Sequence, residues 1–283
     1  MTDPRTPLRA ACVQLNAARP LDDVLATAGA LVERAVASGA NLIVLPEKWN
    51  AIGPKERMLE AGQDLSGPTV AAMQGWAAQH GIWLVGGSIS ERLEGENRIR
   101  NLSLAFDPAG SLVGAYRKLH MFDVEVDGRA VRESATDRPG DELAIAELGG
   151  WQVGLTVCYD LRFPEQYRAL AVAGAEVFTV PAGFMLHTGR DHWEILLRAR
   201  AIENGAYVIA PNQHGSWDGN RMFGRSMIVD PWGVVIANAS DGDGICVADL
   251  DPARVDAARR QLPVLQHRRT EVYGLGVGSS LTV

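Results

Sequence analysis

Apolar positions along the chain repeat in two ways. Short apolar runs, cut off by glycine, proline or charge, stand at 10–15, 42–45, 83–90, 177–180 and 206–210. Such runs predict strands. The alternation Val153, Leu155, Val157 predicts another, ending at Cys158. Between 21 and 37 the period changes. Leu21, Val24, Leu25, Ala28, Leu31, Val32 and Ala35 fall on one stripe, the signature of an amphipathic helix. Further helices are predicted over 69–79, 191–204 and 252–261, and one opening at Pro164 with Tyr167, Leu170 and Ala171 on a shared face. Asp107-Pro-Ala-Gly110 has turn chemistry between two strands, the second at 111–115, and Asp230-Pro-Trp-Gly233 sits between two more. A last strand, 244–250, leads into the helix at 252. The stretch 122–141 is polar with little periodicity, so a long loop is expected there, of a length that is often functional. No linker or repeat divides the chain. Strands alternating with helices predict one α/β domain over 1–283, with an irregular tail from about 262.

Composition narrows the function classes. With 47% hydrophobic and 22% charged residues among 283, a large core can be buried. A formal charge of −7 leaves no electrostatic footprint for nucleic acid. The uncharged stretch 65–90 is broken by Pro68, Gln74, Gln79, His80 and glycines, so it reads as helix, turn and strand, and no membrane association is expected. Cys12, Cys158 and Cys246 lie too far apart for a disulfide framework or a zinc site. They point to a reducing compartment, and Met1-Thr-Asp-Pro-Arg-Thr-Pro7 has no signal-peptide core, so a cytoplasmic protein is expected. On that reading the glycosylation matches at Asn101-Leu-Ser and Asn238-Ala-Ser are chance. Neither cofactor nor metal is expected. Gly274-Leu-Gly-Val-Gly278 lacks the flanking strand and helix of a dinucleotide site. Asp241-Gly-Asp-Gly244 is too short for a calcium loop, and His187 and His192 lack a metal-binding helix spacing.

The residue that stands out chemically is Cys158, between an apolar strand and the Pro164 helix, in Gly154-Leu-Thr-Val-Cys-Tyr-Asp-Leu-Arg-Phe-Pro-Glu165. At a strand-to-helix turn a thiolate can be stabilised and an oxyanion bound. Two earlier segments supply partners. Asn41-Leu-Ile-Val-Leu-Pro-Glu47 ends a strand in a carboxylate, and Tyr116-Arg-Lys-Leu-His120 presents an amine just after another. Only three lysines occur, Lys48, Lys55 and Lys118, and arginine carries the other positive charges. Lysine, unlike arginine, can exchange a proton near neutrality, which makes one retained after a strand suggestive.

Glu47, Lys118 and Cys158, in this order and spacing, resemble the Glu-Lys-Cys triad of the nitrilase superfamily of carbon–nitrogen hydrolases, and the resemblance runs from about Leu8 to Tyr273. The segments from Cys158 to Glu165, His192 to Glu203, Val229 to Gly233 and Leu262 to Arg269 are similar to the Nit branch, with its omega-amidases and deaminated-glutathione amidases. The resemblance implies a four-layer αββα sandwich and hydrolysis of a small linear carboxamide to carboxylate and ammonia through a thioester. Cys158 would be the nucleophile, Glu47 the base and Lys118 the oxyanion donor. Glu133, in Val131-Arg-Glu-Ser134, fits a further family glutamate that would hold Lys118. Tyr159, Arg162 and Glu194 are the candidate substrate-binding residues. Arg162 could read a substrate carboxylate or pair internally with Asp160 or Glu165, and Glu194 could equally support the start of the helix at 191. Nit relatives usually show Gly-His-Ser where this chain has Gly224-Arg225-Ser226, and Lys48-Trp-Asn50 after Glu47 is also unusual. N-carbamoyl amide or nitrile hydrolysis is the enzymatic alternative. A binding protein on the same fold is disfavoured by the intact triad, and a papain-like protease by the lack of its cysteine-histidine-asparagine arrangement. The resemblance also implies a homodimer or higher homo-oligomer packed through outer helices.

Overall fold

The computed structural model describes residues 5–126 and 129–273. It has two large sheets. In the first, strands Gly244–Leu250, Leu8–Gln14, Leu42–Val44, Trp83–Val85, Ile99–Phe106 and Ile89–Arg92 lie side by side in that order, and Leu112–Arg117 also pairs with Ile99–Phe106. The second orders Val235–Asn238, Met227–Val229, Tyr207–Ala210, Val177–Thr179, Trp151–Leu155 and Ala144–Leu148. In both, the central strands pair in parallel and the outer ones antiparallel.

Side-chain alternation sorts the strands into layers. Ala10, Cys12, Leu42, Val44 and Val85 of the first sheet meet Val153, Leu155, Val177, Tyr207 and Ile209 of the second in one buried core. The intervening Ala11, Val13, Ile43 and Leu84 face outward onto helices Leu21–Ala37 and Pro68–His80, through Val24, Ala28, Val32, Val70 and Met73. Phe178 and Val208 face outward onto helices Pro164–Val172 and Leu186–Asn204, through Tyr167, Leu170, Trp193 and Leu197. The result is a four-layer αββα sandwich. Strands covered on both faces have no polar side to show, which is why they read as continuous apolar runs.

The predicted helices at 21–37 and 252–261 and the strand at 244–250 match the structure residue for residue. Three expectations need correction, and one element was missed. The strand expected over 83–90 is two strands, because Gly86-Gly87 breaks it. The loop expected over 122–141 carries a hairpin, Asp123–Val126 with Arg129–Arg132, and a 3-10 turn, Glu133–Ala135. The helix expected from 191 begins at Leu186, because 186–190 continues it without an interrupting proline. A second small hairpin, His214–Trp217 with Asn220–Phe223, escaped the sequence reading. Residues 1–4, 127–128 and 274–283, which include the glycine-rich 274–278 stretch and the end of the tail, lie outside the described residues. No described helix is long and apolar enough to cross a membrane.

Candidate active site

Three strand ends bring Glu47, Lys118 and Cys158 together. Strand Leu42–Val44 delivers Glu47 through Leu45-Pro46, with the broken strand packed against it. Gly87 has φ +56, and a Cβ there would stand 2.0 Å from the Pro46 carbonyl oxygen, so only glycine admits the approach. Ser88 then brackets Glu47. Its N–H donates to the Pro46 carbonyl (3.1 Å), its hydroxyl accepts from the Lys48 N–H (3.0 Å) and its carbonyl accepts from the Trp49 N–H (3.2 Å). Lys118 follows strand Leu112–Arg117, and its N–H is held by the Asn101 carbonyl at 3.0 Å. Cys158 follows Trp151–Leu155 and opens a 3-10 turn, Cys158–Arg162, before the Pro164 helix. It has φ +49, a left-handed backbone that a residue with a Cβ adopts only at a cost.

These residues share a cavity of about 470 Å³ with Glu133, Lys48, Asp137, Phe122, Tyr159, Arg162 and Phe184, among others. Glu47 is its hub. Oε1 accepts from Lys118 Nζ (2.8 Å) and Asn101 Nδ2 (2.9 Å), and Oε2 accepts from the Gly183 N–H (2.9 Å). The Cys158 thiol shares the cavity with this carboxylate and stands near enough to influence its charge. Lys118 reaches Glu133 Oε1 and Oε2 at 2.8 and 2.9 Å, and the Phe122 N–H holds Glu133 Oε2 at 2.7 Å.

The charge states follow from these contacts. Burial alone would raise the Glu47 pKa, but the Lys118 charge and hydrogen bond, with the nearby Cys158 thiol, hold it below the ordinary value. Burial opposes the charge on Lys118, yet Glu133, Glu47 and Cys158 together keep its pKa well above that of a free lysine. Burial, then the nearby Glu47 charge, pushes the Cys158 thiol well up, against the pull of Lys118. The resting site is therefore carboxylate, ammonium and neutral thiol, with a proton acceptor, Glu47, in the same cavity as the thiol. A thiolate standing free at the turn, the alternative open to the sequence, is not what this environment favours.

The carbon–nitrogen hydrolase family model matches residues 9–260. The chain belongs to that family. Among its relatives, deaminated glutathione amidase of Mus musculus is 41% identical over 276 residues, covering 95% of this chain and 85% of the relative. An omega-amidase of Mus musculus is 34% identical over 267 residues, covering 94% and 96%. The crystal structure of the C. elegans NitFhit protein superimposes with a TM-score of 0.93 at 32% identity, covering 99% of this chain and 69% of that one. The chain is thus a nitrilase-superfamily hydrolase of the Nit branch, acting on carbon–nitrogen bonds other than peptide bonds.

The other expected site residues of this carbon–nitrogen hydrolase divide. Tyr159 lines the cavity, edge-on to Phe122 (5.0 Å) and Phe163 (5.3 Å). Arg162 lines it as well. Its guanidinium lies over Phe184 (5.2 Å) and Tyr159 (5.9 Å), and Nη1 stands 3.3 Å from His192 Nδ1. Among the described residues it forms neither of the expected ion pairs, with Asp160 or Glu165. Glu194 is not in the site. The early start of its helix places it well past the N-terminus on the outer face, where it meets Arg198 at 3.3 Å. Arg225 also points elsewhere, to Asp241 at 3.0 Å.

Three contributors were missed. Asp160 is fully buried and joins the Cys158 turn to the Lys118 loop. Oδ2 accepts from the Tyr116 hydroxyl (2.7 Å) and the Val157 N–H (2.8 Å), while Oδ1 meets the His120 N–H (3.2 Å) and Nδ1 (2.8 Å). Asn101, on a central strand, holds Glu47 directly. Lys48 and Asp137 form a second buried ion pair in the cavity wall, with Nζ 2.8 Å from Oδ1. A polar residue inside an apolar run was the available signal for Asn101. Asp160 offered only its nearness to Cys158. Among the described residues no cluster of His, Cys, Asp and Glu could hold a metal ion.

Proposed function

We propose that the protein hydrolyses the terminal carboxamide of a small linear carboxylic acid, of the omega-amide or deaminated-glutathione type, with Cys158 as nucleophile. One observation carries this reading: a single carboxylate, Glu47, bonds the ammonium of Lys118 and a peptide N–H inside the cavity that also holds the Cys158 thiol. As the Cys158 sulfur attacks the amide carbon, Glu47 takes the thiol proton and charge collects on the amide oxygen. Lys118, fixed by Glu133, supplies the positive charge for that oxyanion. The Cys158 N–H is occupied by the Pro181 carbonyl at 2.8 Å, so the next peptide N–H, of Tyr159, is the backbone donor we assign. Protonated Glu47 gives its proton to the departing ammonia, leaving a thioester. It then draws a proton from water, which attacks the thioester carbonyl, and the thiol is regenerated. The net reaction is amide plus water to carboxylate plus ammonia.

Arg162, a cavity guanidinium for which neither expected internal ion pair forms among the described residues, is the group we assign to a substrate carboxylate. Names of the amidase relatives support the substrate class. Ammonia release from a panel of omega-amides, uncharged aliphatic amides, N-carbamoyl amino acids and nitriles tests the reading. It expects omega-amides to lead and Arg162→Lys to weaken their binding. Preference for uncharged amides or nitriles would overturn it.

We further infer one hydrolase domain with a tail from about 262, supported by the family match over 9–260. A cytoplasmic setting is supported by three free thiols. A homodimer through the outer helices is supported by Val172, Ile195, Ile202, Trp232 and Val234, all exposed on that side. Light scattering that reports a monomer at micromolar concentration would remove the last.

A further inference from the structure

Glu47 and Lys48 are consecutive, yet both line the cavity. In an extended strand neighbouring side chains face opposite ways. Lys48 escapes that rule with φ +43, and it and Cys158 are the two cavity residues among the four described non-glycine positions with positive φ. A left-handed backbone at a lysine carries a strain that the surroundings must hold in place. Here they do so through the Ser88 hydroxyl on the Lys48 N–H and Gln213 Nε2 on its carbonyl at 3.3 Å.

The side chain is as tightly held. It is 6% exposed, and Asp137, with which it pairs, is 0% exposed. Nζ lies 2.8 Å from Oδ1 and 2.9 Å from Oδ2, and 3.5 Å from the Met58 sulfur. An ammonium has three donors, and a thioether is a weak acceptor. Lys48 thus keeps donor capacity at the wall of the cavity. A buried ion pair could be replaced by apolar residues with little loss of stability, so stability alone does not account for it. Asp137 already balances the charge. A neutral acceptor on the ligand suits such an ammonium better than a second carboxylate, which Arg162 is placed to take.

We propose that Lys48 is a specificity-determining residue, donating to a neutral carbonyl of the substrate beyond the scissile amide, and that Asp137 is the residue that positions it. This rests on the amide-hydrolase reading above.

The test compares two substrates that differ by one group: the monoamide of a five-carbon 2-oxo dicarboxylic acid and the same chain without the oxo group. Wild-type kcat/KM should favour the oxo compound by about tenfold or more, the scale of a hydrogen bond from a charged donor. Lys48→Met together with Asp137→Leu should bring the ratio to within about twofold, mainly through KM, because no donor remains. The ratio cancels any disturbance of the triad common to both substrates. Asp137→Asn should lower the same ratio with Lys48 in place. Lys48→Met alone strands a buried carboxylate, so the double variant, which removes both charges, should melt higher than the single one. An equal wild-type rate on both compounds, or a preference kept by the double variant, overturns the proposal. If wild type hydrolyses neither compound nor any other omega-amide, the functional reading itself fails and this inference falls with it.

Discussion

The two sheets bring opposite chemistry to one cavity. The first sheet and its loops supply Glu47, Lys48, Lys118, Glu133 and Asp137, all charged and mutually paired. The second supplies the neutral thiol of Cys158, the Gly183 N–H, the aromatic faces of Tyr159 and Phe184, and Arg162. Neither half is competent alone. Three carboxylates against two ammonium groups would leave the first half acidic with nothing to attack a substrate. The second half, without Glu47, holds a thiol whose burial keeps its proton on. On the proposed mechanism the thiol is therefore armed by docking, not by its own turn, and the contacts that join the halves matter as much as Glu47, Lys118 and Cys158 themselves. Asp160 reaches from the Cys158 turn to Tyr116 and His120. Gln213 reaches from the other half to the Glu47 carbonyl at 2.7 Å and the Ala17 N–H at 2.8 Å.

Removing the nucleophile should have the largest effect. Cys158→Ala is expected to lower turnover by at least about 10⁴-fold, since the remaining groups cannot form the thioester. Its melting temperature should stay near wild type, because alanine keeps the Cβ and with it the same cost of the positive φ. In native wild type, iodoacetamide should label Cys158 ahead of Cys12 and Cys246, which are 0% and 7% exposed. Uniform labelling, or turnover in the alanine variant, would break the assignment of the thiol.

Disarming the first half comes next. Glu47→Gln and Lys118→Ala should each cost about 10²-fold or more in kcat, the usual scale for a general base or an oxyanion donor. The double variant should lose far less than the product, because the two groups act as one unit. A single variant with near-normal turnover takes its residue out of the chemistry. Loosening the joint should cost less. Asp160→Asn keeps the shape but loses an acceptor shared by four donors. We expect a fall of about 10- to 100-fold in kcat, the scale of a small misplacement of reacting groups. An unchanged kcat would show that Asp160 merely fills space.

Much of this architecture was legible from the sequence. Apolar runs and one helical stripe placed the central strands and most helices, because periodicity reports burial directly. Strand ends then located Glu47, Lys118 and Cys158. Where the reading failed, the deciding contact was remote in sequence. Gly86-Gly87 sits inside an apolar run, and only the approach of Pro46 explains the break there. Asp123-Val-Glu-Val126 alternates as a strand should, but its polar partner residues masked the hairpin. Asp160 and Asp137 look like ordinary loop acids until their partners, 44 and 89 positions away, arrive. Glu194 was misplaced because the helix start was set too late: with the helix beginning at Leu186, Glu194 lies two turns in and cannot serve its N-terminal end.

The smallest expected effect is on the pH profile, and it is the sharpest test of how the halves divide the charge. On the proposed mechanism the active form needs Glu47 as carboxylate, Lys118 as ammonium and one proton shared between Cys158 and Glu47. Because Lys118 and the hydrogen bonds to Glu47 overcome its burial and hold its pKa below the ordinary carboxylate value, the acid limb of kcat/KM should lie below the usual carboxylate range. Loss of the shared proton would leave none for the departing ammonia. Burial and the Glu47 charge push the Cys158 thiol well above its ordinary value, and Lys118 is likewise raised, so the alkaline limb should lie beyond that of a free thiol. Between about pH 5 and 9 we expect kcat/KM to vary by no more than about twofold, since no essential group titrates there. Lys118→Ala removes the cation that lowers Glu47, so in the residual activity of that variant the acid limb should move to higher pH. A narrow bell near neutrality in wild type would mean that the thiol titrates freely. The first sheet would then not control it, and the comparison between the two halves would fail at its central point.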